Sequence, residues 1–140
     1  MRLRYLLDTN VVSDPVRPNP DPGIGAGLRE HGPRAAIASV VWHELVFGAA
    51  RLPASRRRSA IETYLATVVA PSLPILPYDD KAAAWHASER ARLTARGLTP
   101  SFTDGQIASI ARVHGLILVT ANRDDFERFE QLEVIDWRER

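Results

Sequence analysis

Asp104-Gly105-Gln106-Ile107-Ala108-Ser109-Ile110-Ala111-Arg112-Val113-His114-Gly115-Leu116-Ile117-Leu118-Val119-Thr120 reads as a helix, a stop and a strand in direct succession. Ile107, Ala108 and Ala111 share a face with Asp104, the pattern of one helical stripe. Gly115 then ends the helix, because a residue just past a helix end commonly adopts a left-handed conformation that glycine enters without strain. Leu116 to Thr120 is apolar and β-branched, the clearest strand in the sequence.

Working outward, the same alternation recurs. Arg4-Tyr5-Leu6-Leu7 is a short buried strand that stops at Asp8-Thr9-Asn10. Residues 14–27, rich in Pro, Gly and Asp, read as a loop, with a short helix from near Pro22 closing at Leu28. Ala35 to Ala38 is a weaker second strand, and Ser39 is placed to N-cap an apolar helix that reaches about Arg51 before Pro53 stops it. A further helix is expected from Ser55 to Val69. Leu73-Pro74-Ile75-Leu76 is extended, and its proline confines it to a sheet edge or a strand start. Residues 79–96 are helical in pattern, with Gly97 as the stop, and Thr99-Pro100-Ser101 is a loop. Glu133 to Asp136 adds a last edge strand. Short strands alternating with helices predict an α/β domain with a mostly parallel central sheet. With no repeat, linker or low-complexity tract, residues 1–140 are expected to form a single domain.

Composition narrows the chemistry. Of the 140 residues, 45% are hydrophobic and 25% charged, ordinary globular usage that argues against disorder. A chain this long can bury roughly 68–70% of its unfolded surface. There is no cysteine, so disulfides, thiolate zinc sites and cysteine nucleophiles are excluded. The opening Met1-Arg2-Leu3-Arg4 is basic and then apolar, but Asp8 interrupts the run too early for a secretory h-region. No stretch approaches the ~20 apolar residues of a membrane span, so a cytoplasmic protein without membrane contact is expected. The formal net charge of +1 means that any nucleic-acid contact must come from a local patch.

Three acids stand out by position. In open parallel sheets, ligands bind beyond the carboxyl ends of strands. Asp8 follows the first strand directly, and Asn122 lies just past Leu116–Val119. Glu44, the only acid between Glu30 and Glu62, shares a helix face with Val40, Val41, Phe47 and Gly48. A carboxylate among such neighbours costs several kcal/mol unless it is paired or bound to a cation, and a helix apolar almost all round should be buried or at a subunit interface. Asp104 is the only acid between Glu89 and Asp124. It opens a helix that Thr103 could cap in its place. Asp124 and Asp125 follow Asn122, where an acidic pair is ordinarily solvated. Carboxylates without a His or Cys cluster suit Mg²⁺ or Mn²⁺, which keep waters and engage phosphate, so the pattern points to phosphodiester hydrolysis. Arg51 with Arg56, Arg57 and Arg58 is the one concentrated basic run. At a helix start it opposes the dipole, which favours a phosphate or an acidic partner.

Four blocks in register carry a resemblance. Leu6-Leu7-Asp8-Thr9-Asn10, Ser39-Val40-Val41-Trp42-His43-Glu44-Leu45 with Gly48, Thr103-Asp104-Gly105-Gln106-Ile107-Ala108, and Leu118-Val119-Thr120-Ala121-Asn122 with Asp125-Phe126 resemble PIN-domain ribonucleases. Their order and spacing are most similar to the VapC-type toxins of toxin–antitoxin pairs, from Leu6 to about Trp137. The resemblance implies a three-layer α/β/α fold and a Mg²⁺ or Mn²⁺ site. It also implies endonucleolytic RNA cleavage by a homodimer that a cognate antitoxin inhibits. It makes Asp8 and Asp104 the main metal ligands and Glu44 the third acid, binding directly or through a water. Asn122 stands where many PIN domains carry an acid, so the fourth acid falls to Asp124 or, by its place before Phe126, to Asp125. Thr9 and Thr120 are cast as hydrogen-bonding support for the carboxylates or the phosphate.

Two other readings compete. A haloacid-dehalogenase-type phosphatase would also put an aspartate after the first strand and use Lys81, but it needs a second aspartate where Asn10 stands. A non-catalytic, RNA- or partner-binding PIN-like module would not need all three acids. His43, next to Glu44, points about 100° away around the helix and reads as a surface or packing residue, as Trp85 and His86 read as structural.

Overall fold

The computed structural model describes residues 2–139; Met1 and Arg140, the ends of the expected domain, lie outside the described residues. Five short strands make one sheet: β1 Tyr5–Leu7, β2 Ala35–Ala38, β3 Ile75–Leu76, β4 Ile117–Val119 and β5 Val134–Ile135. Their order is β3-β2-β1-β4-β5, and every described pair is parallel, so the sheet is parallel throughout rather than mostly so. Helices cover both faces, giving three α/β/α layers. That covering explains why β1 and β2 bury every residue and read as unbroken apolar runs instead of alternating ones. Leu6, Leu7, Ile37, Leu118 and Val119 lie at the centre of the core.

The helices are α1 Thr9–Val12, α2 Pro22–His31, α3 Ser39–Ala50, α4 Arg56–Tyr64, α5 Ala70–Ser72, α6 Asp80–Ala95 and α7 Phe102–Val113. Several ends differ from the sequence reading for local reasons. Part of the expected 14–27 loop is ordered as a 3₁₀ turn, Asp14–Val16, and as α2, whose start is fixed by the Asp21 carboxylate accepting from the Gly23 and Ile24 amides. Ser39 is the first helical residue of α3 and not its cap; the cap position is Ala38, which has no side-chain bond to offer. Ser55 caps α4 as expected, but the helix widens into a π turn, Leu65–Val69, that brings Leu65 and Val69 to the core and leads into α5. At α7 the cap is Ser101 and not Thr103: its hydroxyl accepts from the Asp104 amide at 3.1 Å, and the helix begins two residues earlier than expected.

Gly97 and Gly115 follow α6 and α7 with φ of +75° and +64°, the left-handed stops foreseen for them. Gly105 serves a different need. A Cβ there would drive into the His86 ring, so its absence lets α6 and α7 pack closely. His86 is buried with its Nδ1 2.8 Å from the Tyr78 hydroxyl, and burial, reinforced by the Arg90 charge, holds it below the usual histidine range. It is structural, as expected.

Candidate active site

The strand order reverses between β1 and β4: the chain winds outward from β1 through β2 to β3, then returns to the other side of β1 for β4 and β5. Loops leaving the two central strands therefore diverge and open a crevice at their carboxyl ends. Asp8 stands on one side of it and Thr120 on the other, held level by the Leu7–Val119 register.

Asp8 is 8% exposed. Its Oδ1 accepts from the Thr9 amide at 2.8 Å, capping α1, and its Oδ2 accepts from the Thr120 hydroxyl at 2.8 Å. Asp8 is thus at once the cap of α1 and a wall of the crevice. Burial pushes the carboxyl above its usual range, the two hydrogen bonds pull it down, and the Asp125 charge pushes it up again. The Thr120 hydroxyl also accepts from the Asn122 amide at 3.0 Å, so one buried side chain ties the late loop to Asp8.

Glu44 comes from α3. It is exposed, so of the two settings expected for its helix, burial or a subunit interface, burial does not hold. Only Val41, Leu45 and Ala49 of α3 are buried, while Val46 and Phe47 are left at 43% and 59% exposure. The hydropathy of α3 spreads around the helix, so its sequence alone gives no buried side. Thr9 donates a long 3.4 Å hydrogen bond to Glu44 Oε1, joining α1 to α3 at the crevice. Partial desolvation raises the Glu44 carboxyl, the Asp8 charge raises it further, and Thr9 and His43 oppose them. His43 itself is exposed, edge-on to Phe47 at 6.3 Å.

Asp104 sits in the first turn of α7, freed for the crevice because Ser101 does the capping. Its carboxyl is pushed up to about 6 by burial, then by the charges of Asp125, Asp8 and Glu44. Each of those acids is close enough to repel it, so α1, α3, α7 and the loop after β4 bring four carboxylates together. The charge of Asp125 raises both Asp8 and Asp104. Among the described residues, no three His, Asp or Glu side chains converge tightly enough to hold an ion by protein atoms alone.

This electrostatics gives a pH signature. The folded carboxyl of Asp104 binds its proton more tightly than the ordinary carboxyl of the unfolded chain does. Between pH 3.8 and about 6 the native state holds more protons, so this group adds stability at pH 5 that is lost as pH rises through about 6. In chelator, the stability difference between Asp104→Asn and the unaltered protein should therefore grow in favour of the variant from pH 5 to pH 7.5. A pH-independent difference in thermal midpoint would rule out the raised carboxyl.

Open grooves flank the acids. One, about 530 Å³, runs between α3 and α4 past Thr9 and Glu44 and is lined by Phe47, Gly48, Leu52 and Ile61 with Arg17, Arg51 and Arg57. The Tyr64 hydroxyl, donating to the Val12 carbonyl at 2.7 Å, pins α4 to α1 there, and burial lifts its pKa to about 12. Of the basic run, Arg51 and Arg57 line this groove and Arg56 does not. Arg58 is committed locally, donating to the Leu52 carbonyl at 3.0 Å and facing Glu62 at 3.4 Å. The second groove, about 350 Å³, is lined by Ser101, Asp104, Asp124, Asp125 and Arg128, among others.

Sequence reasoning missed several positioning residues. Asn10 Oδ1 accepts from the Ala121 amide at 3.1 Å, bridging the loops after β1 and β4, and its place two residues beyond Asp8 was the available signal. Arg138 donates to the Ala121 carbonyl at 2.7 Å while paired with Asp136, whose carboxyl it holds below the usual range. No local pattern marks that pair, because its partner loop lies 17 residues away.

Comparison with known proteins agrees with this architecture. The family model described as PIN domain matches residues 5–132. The chain is 33% identical over 140 residues to the tRNA(fMet)-specific endonuclease VapC of Shigella flexneri, covering 96% of this chain and 98% of that protein. Among solved structures it is similar to FitAcB from Neisseria gonorrhoeae, with a TM-score of 0.89, 28% identity, and 97% and 99% of the two chains covered. DNA-bound VapBC from Salmonella typhimurium gives a TM-score of 0.84 at 29% identity, covering 96% and 98%. The matches run through all the elements that carry the four acids. The chain belongs to the PIN domain family and, within it, to the VapC-type ribonucleases.

Proposed function

We propose that this protein is a Mg²⁺-dependent endoribonuclease, the toxin of a toxin–antitoxin pair, that hydrolyses RNA phosphodiester bonds at the crevice between β1 and β4. The observation that carries the reading is the meeting of Asp8, Glu44, Asp104 and Asp125 from four separate elements, with burial first and mutual repulsion after it raising three of them. Such a cluster costs free energy unless a cation offsets the charge.

The donor set fits a hard divalent cation. Every candidate donor is a carboxylate oxygen, and Mg²⁺ is commonly held through one or two carboxylates while keeping several waters, so a closed protein cage is not required. Asp8 and Asp104 would hold the ion, Glu44 would bind it directly or through water, Asp125 would be the fourth acid, and Mn²⁺ would be a substitute. When bound, such a cation would supply Lewis acidity, making a water more acidic and offsetting charge on the phosphate. The chain's own residues do the remaining work. Thr120 and the Thr9 amide fix the Asp8 carboxylate in one rotamer. Thr9 also steadies Glu44, whose exposed carboxylate can accept a hydrogen bond from an incoming water and orient it. Asn10 holds the Ala121–Asn122 loop, and with it Asp125, across the crevice.

The relatives' names supply the rest. One is a tRNA(fMet)-specific endonuclease and another is seen in a VapBC assembly on DNA, which supports RNA as substrate and a cognate antitoxin as partner. A homodimer belongs to the same reading, supported by the apolar Val46 and Ile75 left exposed on α3 and β3. No described helix is long and apolar enough to cross a membrane, in keeping with a cytoplasmic site of action. The test is cleavage of end-labelled RNA by purified protein, expected with Mg²⁺ or Mn²⁺ and absent in chelator. Cleavage that persists in chelator would refute the metal-dependent reading. Binding without cleavage would favour the non-catalytic module.

A further inference from the structure

The chain past β5 folds back onto the turn that carries Asp125. Trp137 is buried along α2, stacked on His31 with ring centres 5.6 Å apart and edge-on to Tyr5 of β1 at 5.7 Å. Two glycines of α2 make room for it. A Cβ on Gly27 would overlap the Trp137 indole, and one on Gly23 would meet the Trp137 carbonyl oxygen. Glycine inside a helix is less stable than alanine, so α2 gives up helical stability at Gly27 where the tail lies against it. Residues 136–138 also lie beyond the stretch 5–132 that matches the family model.

From that anchor the tail reaches the crevice. Asp136 is buried, and its Oδ2 accepts from both Nε and Nη2 of Arg138, at 3.1 and 2.7 Å, which fixes the plane of the guanidinium. The same Nη2 donates to the Ala121 carbonyl at 2.7 Å. That carbonyl and the Asn122 amide belong to one peptide unit. The amide donates to the Thr120 hydroxyl at 3.0 Å, so the unit is held at both ends. The Asn122 carbonyl, next along the chain, accepts from the Asp125 amide at 3.1 Å and closes the 3₁₀ turn Arg123–Asp125. A second link from the tail, Arg123 to Glu139 at 2.8 Å, holds the same turn. Asp8 has its own partners in Thr9 and Thr120, so Asp125 is the acid whose place depends on the tail.

We infer that Arg138 is a positioning residue of the active site: braced by Asp136 and anchored through Trp137, it holds the Ala121–Asn122 peptide and thereby the turn that presents Asp125 to the crevice. The inference rests on the nuclease reading above, in which Asp125 is the fourth acid, and adds the residue that sets it in place. An ion pair with one exposed partner contributes little to stability. A group that orients a metal-facing carboxylate, by contrast, commonly changes metal affinity or activity by about 10–100-fold. Chemistry and stability should therefore separate at this pair.

The test uses the full chain with the pair replaced together, Asp136→Asn with Arg138→Met. Net charge is unchanged, no charge is stranded, and asparagine keeps the oxygen that accepts from the residue-138 amide. Three quantities are read: kcat and KM for RNA cleavage with Mg²⁺, affinity for Mn²⁺ alone from loss of the free-ion EPR signal, and amide exchange of residues 120–126 in chelator. Both kcat and Mn²⁺ affinity should fall about tenfold with KM nearly unchanged, and exchange should speed up severalfold. In an Asp125→Asn background the same pair should cost no more than about twofold in either, because the acid it positions is gone. The inference is overturned if kcat and Mn²⁺ affinity match those of the parent, or if the pair costs as much without Asp125 as with it. Should the double variant not fold, Arg138→Lys is read in the same two backgrounds, since it keeps the charge but has one nitrogen for two partners. A loss equal in both backgrounds again overturns the inference. If the unaltered protein cuts no RNA with Mg²⁺ yet its Mn²⁺ affinity depends jointly on Arg138 and Asp125, the positioning role stands and the nuclease reading falls.

Discussion

Asp8→Asn is expected to reduce RNA cleavage to background while leaving the metal-free protein as stable as before, or more so. The reasoning starts from local geometry. Asparagine keeps a carbonyl oxygen for the Thr9 amide, and its amide nitrogen can donate to the Thr120 hydroxyl, so both bonds that hold Asp8 have replacements. What the variant loses is a charge that burial and Asp125 already disfavour. Thermal unfolding in chelator should therefore show an equal or higher midpoint, and Mg²⁺ should raise it less than it raises that of the unaltered protein. A large fall in the midpoint would instead make Asp8 chiefly the cap of α1, and full cleavage activity would remove it from the reaction.

The second large effect is expected at Glu44. Glu44→Gln preserves shape and removes one charge, so cleavage should fall on the order of 10²-fold or more, the usual scale for a group that handles a proton. Mg²⁺ affinity should fall more modestly, because Asp8 and Asp104 remain to hold the ion. The effect on stability turns on whether Glu44 is buried and paired. A buried Glu44 paired with an arginine would make Glu44→Leu cost about 3–5 kcal/mol by stranding the partner's charge. In the structure Glu44 is exposed and its only side-chain bond among the described residues is the long one from Thr9, so Leu should change stability by no more than about 0.5 kcal/mol. Urea denaturation of the Leu variant, run beside a cleavage assay of the Gln variant, reads both quantities. Strong destabilisation of the first or near-normal activity of the second would take Glu44 out of the site.

Much of this was legible in the sequence because it depends on neighbours along the chain. The apolar runs at Tyr5–Leu7 and Ile117–Val119, the stops at Gly97 and Gly115, and the proline-limited edge strand Ile75–Leu76 are all local signals of backbone preference and burial. Their alternation with helices was enough for a parallel α/β sheet, and a parallel sheet places useful residues at strand ends, which singled out Asp8. Acid spacing isolated Glu44 and Asp104. Four motifs in register brought the family and its chemistry within reach.

Only the tertiary structure decided what depends on distance through space. Sequence could not separate Asp124 from Asp125, since adjacent residues share the same local signals; in the structure both line a groove with Asp104, and the charge of Asp125 bears on Asp8 and Asp104. Nor could it show that Glu44 is exposed, because α3 is apolar on faces that the core never covers and its hydropathy has no direction. The basic run looked uniform as well, yet packing of α4 on α3 sends Arg57 to the groove and Arg58 back to the Leu52 carbonyl. Side chains 1.5 Å apart in helical rise diverge by about 100° around the axis, so which of them meets a distant element is fixed by how the helices dock.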